Sequence, residues 1–176
     1  MILGDNVNAL TEVEKAYLAG LIDGEGCITI LKNKSQRECT TPMYALLVIV
    51  MMTEEEVIRH CHEMAGIGSV TIGHSNQKVD PKYRMRYQWQ MSRNQAVELL
   101  TVIKDYLIVK KDQAELALEF AKLPATRVSA RGPITPYIQG KREEYFVRMK
   151  NLKRTPQRQY EVPVVASKKD EQMTLF

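Results

Sequence analysis

A run of small residues at helical spacing places the strongest constraint on how this chain can fold. Ala16, Gly20 and Gly24 recur every four residues, so on a helix they form one stripe without bulky side chains. Another backbone can approach such a stripe closely, and we therefore expect a second helix to pack against it. Thr11 and Glu14 form the T-x-x-E capping-box pattern that begins a helix, and the glycines at its far end stop it.

The same helix ends in two acids, Asp23 and Glu25, at the end where the helix dipole favours bases. Each exposed anion there is disfavoured by roughly 0.3–1 kcal/mol, so a positive group should compensate them. Mg²⁺ is a suitable counter-ion because it prefers carboxylate and carbonyl oxygens and is often completed by substrate phosphate. The alternative from the residues alone is that both acids are solvated turn residues or side-chain caps.

The nine residues from Leu18 to Gly26 resemble the signature of the LAGLIDADG homing endonucleases. Gly24 stands where the signature has alanine, and Glu25 stands where it has the second aspartate, so a small residue and an acid are kept. The resemblance implies an α+β fold with an αββαββα core. It also implies that the motif helices of two such units pack together and that their two sheets form a saddle over duplex DNA.

Hydrophobic patterning predicts the same order of elements along the chain. After the motif helix we expect strands over 27–32 and 44–52, a helix from Thr53, strands over 67–75 and 83–91, and helices from Ser92 and over 110–123 and 141–152. Pairing the two hairpins gives a four-stranded antiparallel sheet with helices on one face and a free face for a ligand. Thr53 and Ser92 both open capping-box patterns. We expect one domain over 1–154, which includes extra C-terminal helices, and a mobile tail over 155–176.

Composition indicates the kind of cellular compartment in which the chain functions. Its longest apolar run, 44–52, is well short of the ~20 residues that span a bilayer, and no secretory leader is recognisable, so we expect no membrane partner. Cys27, Cys39 and Cys61 are odd in number and lack C-x-x-C spacing, which argues against a disulfide framework. An intracellular, reducing compartment is expected, and the sequence does not distinguish a prokaryotic cytoplasm from an organelle matrix or stroma.

The bases are segregated, although the net charge is only +4. Residues 82–93 hold four bases and no acid, and residues 141–158 hold seven bases and two acids, as expected of a nucleic-acid binder. The strand over 83–91 alternates apolar side chains with arginines and glutamines, which can donate to guanine and adenine in a major groove. An ordinary solvated sheet face is the alternative.

We expect DNA contacts from that strand, from the first and third strands, and from the polar hairpin tip. The predicted DNA-binding residues are Arg84, Arg86, Gln88, Gln90, Thr29, Asn33, Lys34, Gln36, Arg37 and Thr71. The strand over 44–52 is apolar on both faces. It therefore contributes little beyond contacts with thymine methyls, or else it is buried more deeply than the resemblance implies.

The resemblance also implies the site chemistry. Glu25 and the backbone carbonyl of Gly24 would hold Mg²⁺ or another divalent cation for phosphodiester hydrolysis, and Lys110 would lie near the scissile phosphate. A register shifted by one residue would assign this role to Lys111, and an ordinary surface lysine is the alternative. Glu54 falls where the family often has a water-positioning glutamine; as an acid in the first turn of a helix it has an equally good structural explanation. Because the chain carries one motif copy, we expect a homodimer, with Ala16, Gly20 and Gly24 at its interface, on a long pseudo-palindromic target.

Two other functions fit the same scaffold. One is an RNA-binding intron maturase, which would use exposed aromatic side chains that the predicted binding face lacks. The other is a non-cleaving DNA-binding regulator, which would bind DNA without depending on a metal. Glu25 together with Lys110 favours an intron-encoded homing endonuclease that cuts both DNA strands over either alternative.

Overall fold

The structure is a computed structural model that describes residues 5–33, 42–73, 85–124 and 135–154. Its helices are α1 (Asp5–Asn8), α2 (Glu12–Glu25), α3 (Glu55–Ala65), α4 (Arg93–Ile103), α5 (Lys111–Ala121) and α6 (Pro136–Arg154). Its strands are β1 (Gly26–Asn33), β2 (Met43–Met52), β3 (Ser69–Gly73) and β4 (Arg86–Ser92). None of these helices is both long and apolar enough to cross a membrane. The predicted α+β order is confirmed, with α1 as an unpredicted addition.

The four strands form one antiparallel sheet in the order β1-β2-β4-β3. In this order β1 and β3 are the edge strands of the sheet, and β2 and β4 are the inner strands. The start of β1 lies beside the end of β2, because Gly26 pairs with Val50. The start of β4 lies at the same end, where Tyr87 pairs with Met52. Asp23 and Glu25, at the carboxyl end of α2, therefore lie at the end of the sheet where β4 begins.

The two faces of the sheet differ in burial. Alternate residues, including Ile28, Val48, Val50 and Trp89, are fully buried beneath the helices and form the core with Leu18 and others. The intervening residues face the other side, which no described helix or strand covers; we call this side the open face. This separation follows from the period of two along a strand.

The predicted start of α2 is confirmed. The Thr11 hydroxyl accepts a hydrogen bond from the backbone N–H of Glu14, and the Glu14 carboxylate accepts one from the backbone N–H of Thr11 at 2.8 Å. The two other predicted capping boxes are wrong. Thr53 donates its hydroxyl to Glu54, which is the N-cap residue of α3, and Ser92 caps α4 without a side-chain hydrogen bond.

Helix α6 is longer than predicted and is fixed to the β1–β2 hairpin by polar contacts. The Glu143 carboxylate accepts hydrogen bonds from the Lys32 ammonium at 2.6 Å and from the Tyr44 hydroxyl. Gln139 donates to the carbonyl of Pro42 at 2.8 Å, and Met149 is buried in the core. These contacts hold α6 alongside edge strand β1.

Gly68 occupies a position that only glycine fits without strain. Its φ is +91°, and a Cβ there would lie 2.5 Å from Nε1 of Trp89, which donates to the Ile67 carbonyl. We expect Gly68→Ala to lower the free energy of unfolding by about 2–4 kcal/mol, from backbone strain and a broken buried hydrogen bond. Urea denaturation measures this, with Gly140→Ala as the control because a Cβ at Gly140 meets no atom within 4 Å. An unchanged urea midpoint for Gly68→Ala would contradict the packing described.

Candidate functional site

Asp23 at the end of α2 binds the loop that precedes α5. Its carboxylate accepts three backbone hydrogen bonds, from the N–H groups of Ile108 at 2.7 Å, Val109 at 3.2 Å and Lys110 at 2.9 Å. These donors supply the compensation that an anion at a helix carboxyl end requires. The sequence did not predict this contact, because the partners lie about 85 residues further along the chain.

Lys110 is held in the same place. Its ammonium donates to the backbone carbonyl of Asp23, so the side chain is directed at the last turn of α2. Burial lowers the pKa of Lys110, and the nearby groups of Asp23, Cys27 and Glu25 act in the opposite direction. The structure therefore brings the predicted lysine and the motif acids together.

Glu25 is exposed, in contrast to Asp23. It is the last residue of α2, and the next residue, Gly26, begins β1. A Cβ at Gly26 would lie 2.7 Å from the Cα and the carbonyl oxygen of Ile22, so the turn from helix to strand depends on this glycine. The tight junction leaves the Glu25 carboxylate at the surface beside Lys110.

The donor groups at this junction fit a hydrated divalent cation rather than a closed metal site. Among the residues that the structure describes, no three or more His, Cys, Asp or Glu side chains lie together in a metal-binding group. Glu25 supplies one exposed carboxylate. Gly24 lies in the last turn of α2, where the Ile22 carbonyl accepts from the N–H of Gly26 and the carbonyls after it have no following helical N–H. Mg²⁺ accepts few protein ligands because it keeps several waters, so such a partial set suits it.

A second lysine, not predicted individually, reaches the same corner. The Lys153 ammonium from the last turn of α6 donates to the thiol sulfur of Cys27 at 3.2 Å. Its charge also lowers the pKa of Lys110, although burial contributes more to that shift. We call Asp23, Glu25, Cys27, Lys110 and Lys153 the motif corner.

Glu54 lies at the same end of the sheet as Glu25, just beyond the end of β2. It is exposed and accepts a hydrogen bond from the Thr53 hydroxyl at 3.3 Å. It is also the N-cap residue of α3. This placement suits an acid near the positive end of a helix dipole, so the structural explanation for Glu54 has direct support.

The open face carries the described part of the predicted DNA-binding set. Gln88 lies between Met51 and Thr71 across the sheet, and its side-chain amide donates to that of Gln90 at 2.9 Å. The members that share this face are Thr29 and Asn33 on β1, Arg86, Gln88 and Gln90 on β4, and Thr71 on β3. The other predicted positions, Arg84 on the fourth strand and Lys34, Gln36 and Arg37 at the hairpin tip, lie outside the described residues.

Strand β2 gives this face an apolar centre. Met43 and Met51 are 48% and 37% exposed, and Ala45, Leu47 and Ile49 between them are half-buried on the same side. The strand is therefore not buried on both sides, and of the two sequence-based explanations the structure favours an apolar contribution to the open face.

The small-residue stripe of α2 is uncovered in the single chain. Ala16, Gly20 and Gly24 are all exposed, and a Cβ at either glycine would meet no atom within 4 Å. Val13 and Tyr17 on the same helix are 79% and 46% exposed. Exposed small and apolar side chains therefore lie along one side of this helix.

A substitution of Asp23 tests whether its three hydrogen bonds hold the loop over 108–110 in place. An asparagine at this position has one carbonyl oxygen, so Asp23→Asn leaves at least one of the three N–H groups without its acceptor. We expect a loss of about 1.5–3 kcal/mol in stability, with faster hydrogen exchange at the amides of 108–110. Asp105→Asn, at an exposed acid of the same region, should change neither measurement. Equal rates of amide hydrogen exchange at 108–110 in the two variants would show that Asp23 does not hold this loop.

One protein-family model matches this chain. The family described as LAGLIDADG endonuclease matches residues 18–112 of the 176, a segment that begins in α2 and ends at the start of α5. None of the curated proteins matches the chain.

Solved structures of homing endonucleases share the fold. I-CvuI, in complex with the I-CreI target in the presence of Mg, aligns with a TM-score of 0.64 and 19% identity over 80% of this chain and 82% of its own. The archaeal intron-encoded I-Vdi141I, complexed with DNA, aligns with a TM-score of 0.62 and 18% identity over 85% and 90%. I-TnaI aligns with a TM-score of 0.58 and 15% identity over 80% and 93%. At these identities the likeness establishes a common fold.

Proposed function

This chain belongs to the LAGLIDADG endonuclease family, and from that membership we propose that it is an intron-encoded, metal-dependent homing endonuclease that cuts both strands of a specific DNA target. The observation that carries the proposal is the motif corner: an exposed carboxylate, Glu25, stands beside Lys110 at the end of an open sheet face. An acid and a cation placed together at the end of a binding surface suit hydrolysis of a phosphodiester.

Duplex DNA is the substrate that the open face suits. Arginine and glutamine side chains on a strand can donate to guanine and adenine edges, and the major groove admits a two-stranded ribbon. Arg86, Gln88 and Gln90 lie on β4, while the apolar residues of β2 offer contacts with thymine methyl groups. The relatives I-CvuI and I-Vdi141I were solved in complex with DNA.

We infer that two copies of the chain act together. Cutting both strands requires two acidic sites, and one chain carries one motif. The uncovered glycine stripe of α2 suits close packing of two identical helices, which brings the Glu25 carboxylates of both chains towards one axis. A two-fold symmetric enzyme requires a nearly palindromic target.

Glu25 and the Gly24 carbonyl are the groups that would hold a divalent cation, with the partner's carboxylate and DNA phosphate as further oxygen ligands. Bound there, the cation supplies charge stabilisation at the phosphate and a water of lowered pKa. The chain's own residues do the remaining work. Lys110, fixed by the Asp23 carbonyl, offers an ammonium to the negative charge of the phosphate. Asp23 positions Lys110 by holding its loop.

Incubation of the purified protein with duplexes drawn from intron-insertion junctions tests the proposal. Recovered ends are sequenced after reactions with Mg²⁺, with Ca²⁺, and with a chelator. We expect double-strand cuts at one long, nearly palindromic sequence, in Mg²⁺ and not in the chelator. Binding without cuts in any metal would instead support the DNA-binding regulator. Binding to intron RNA in preference to its DNA junction would support the maturase.

A further inference from the structure

We propose that Lys153 binds the phosphate backbone of the cleaved strand beside Glu25, so that the C-terminal helix α6 supplies part of the nuclease site. The inference rests on the proposed function and adds a residue that lies beyond the segment matched by the family model, 18–112. The geometry that carries it is the 3.2 Å contact of the Lys153 ammonium with the Cys27 sulfur, two residues beyond Glu25.

The path of the lysine side chain explains how a helix from the covered side reaches the open face. Cys27 is exposed on the open face, whereas α6 packs on the other side, where Met149 is buried. Because β1 is an edge strand, a long side chain can pass around it. The contacts of Glu143 with Lys32 and Tyr44 fix α6 against this strand, so the position of Lys153 is determined by the fold.

The ammonium of Lys153 is the charge at this corner that is available to an anion. Within the described part of the chain, the hydrogen-bond partner of the Lys153 ammonium is a thiol, which is a weak acceptor, and that of Lys110 is a backbone carbonyl. Neither ammonium is matched by a carboxylate in an ion pair among these residues. The carboxylates of Asp23 and Glu25 act favourably on Lys110, whereas in this part of the chain the ammonium of Lys153 meets only the thiol, so Lys153 is the cation that a DNA phosphate at this corner would neutralise.

Charge-matched variants test this role in DNA binding. Lys153 is exposed, so Lys153→Met should fold, and Lys150→Met removes the same charge one turn earlier, where the ammonium lies over the Phe146 ring. With a random-sequence duplex in Ca²⁺, the slope of log affinity against log salt should fall by about 0.9 per protomer in Lys153→Met. Lys153→Arg should restore it, and Lys150→Met should keep the wild-type slope.

Two further readouts separate failure of this inference from failure of the proposed function. On a duplex that the wild type cuts, Lys153→Met should slow single-turnover cleavage by about 100-fold, and Lys150→Met by less than about two-fold. Saturating duplex should protect Cys27 from alkylation, because the backbone would cover this corner. If the wild type binds DNA while Cys27 stays unprotected, or if Lys153→Met keeps the wild-type slope and rate, the inference is wrong. A wild type that binds no DNA overturns the proposed function as well.

Discussion

Glu25→Gln should abolish cleavage while leaving the fold and DNA binding nearly intact. The substitution keeps the size of the side chain and removes the charge that would hold the proposed divalent cation at the end of α2. We expect the single-turnover rate in Mg²⁺ to fall by at least about 10³-fold, which corresponds to about 4 kcal/mol of transition-state stabilisation. Because Glu25 is exposed, the thermal stability of the free protein should stay close to that of the wild type.

The matched control is Glu63→Gln, at an exposed acid on α3 outside the motif corner. It changes the net charge equally and should cut DNA at the wild-type rate. Calorimetric titration of the DNA complex with Ca²⁺ gives a second readout, in which Glu25→Gln should lose metal affinity and Glu63→Gln should not. Cleavage by Glu25→Gln at the wild-type rate would show that the site has been assigned to the wrong residue.

Gly20→Leu should weaken the proposed dimer without unfolding the single chain. A Cβ at Gly20 meets no atom within 4 Å in the single chain, so the larger side chain fits the free helix, and leucine favours a helix more than glycine does. Against a second copy, each added side chain overfills the contact at a cost of about 1–3 kcal/mol. Because the substitution occurs twice in a symmetric pair, the dissociation constant should rise by roughly 30- to 10⁴-fold.

Sedimentation equilibrium measures this change, and thermal unfolding reports on each chain. Gly140→Leu is the control, because Gly140 is an exposed helical glycine on α6 whose Cβ would also meet no atom within 4 Å. It should leave association unchanged. A wild-type protein that stays monomeric on its DNA target, or a Gly20→Leu variant that pairs as tightly as the wild type, would contradict the proposed interface.

Local signals in the sequence predicted the elements well, because these signals act over a few residues. The Thr11 capping box and the alternation along β4 depend on neighbours three or two positions away, and the structure has both. The same four-residue pattern failed at Thr53, whose hydroxyl bonds to the adjacent Glu54 instead of capping the helix. A short pattern indicates which hydrogen bond is available, and it does not decide between competing acceptors.

The assembly of the motif corner could not be predicted in full. The sequence indicated that Asp23 needed positive partners, and these are N–H groups about 85 residues away, a pairing that the tertiary fold alone decides. Lys153 lies in the basic stretch over 141–158, and nothing in the sequence singles it out from the other bases there. Its contact with Cys27 spans 126 positions and depends on the docking of α6 against an edge strand. The resemblance to a family supplied Lys110, because it gives the order of elements around the core and places a lysine between the two helices that follow the sheet.

The alternation of core positions and open-face positions along the sheet has a consequence for changing what this face binds. Residues 45, 47 and 49 on β2 share the open face with Gln88 and Gln90, while the residues between them form the core. Under the proposed function, a library diversified at these half-buried positions would change the contacts with bases and leave the fully buried core residues as they are. If the proposed nuclease reads its target with this face, the residues that set its specificity and the residues that fill its core are different residues of the same strands.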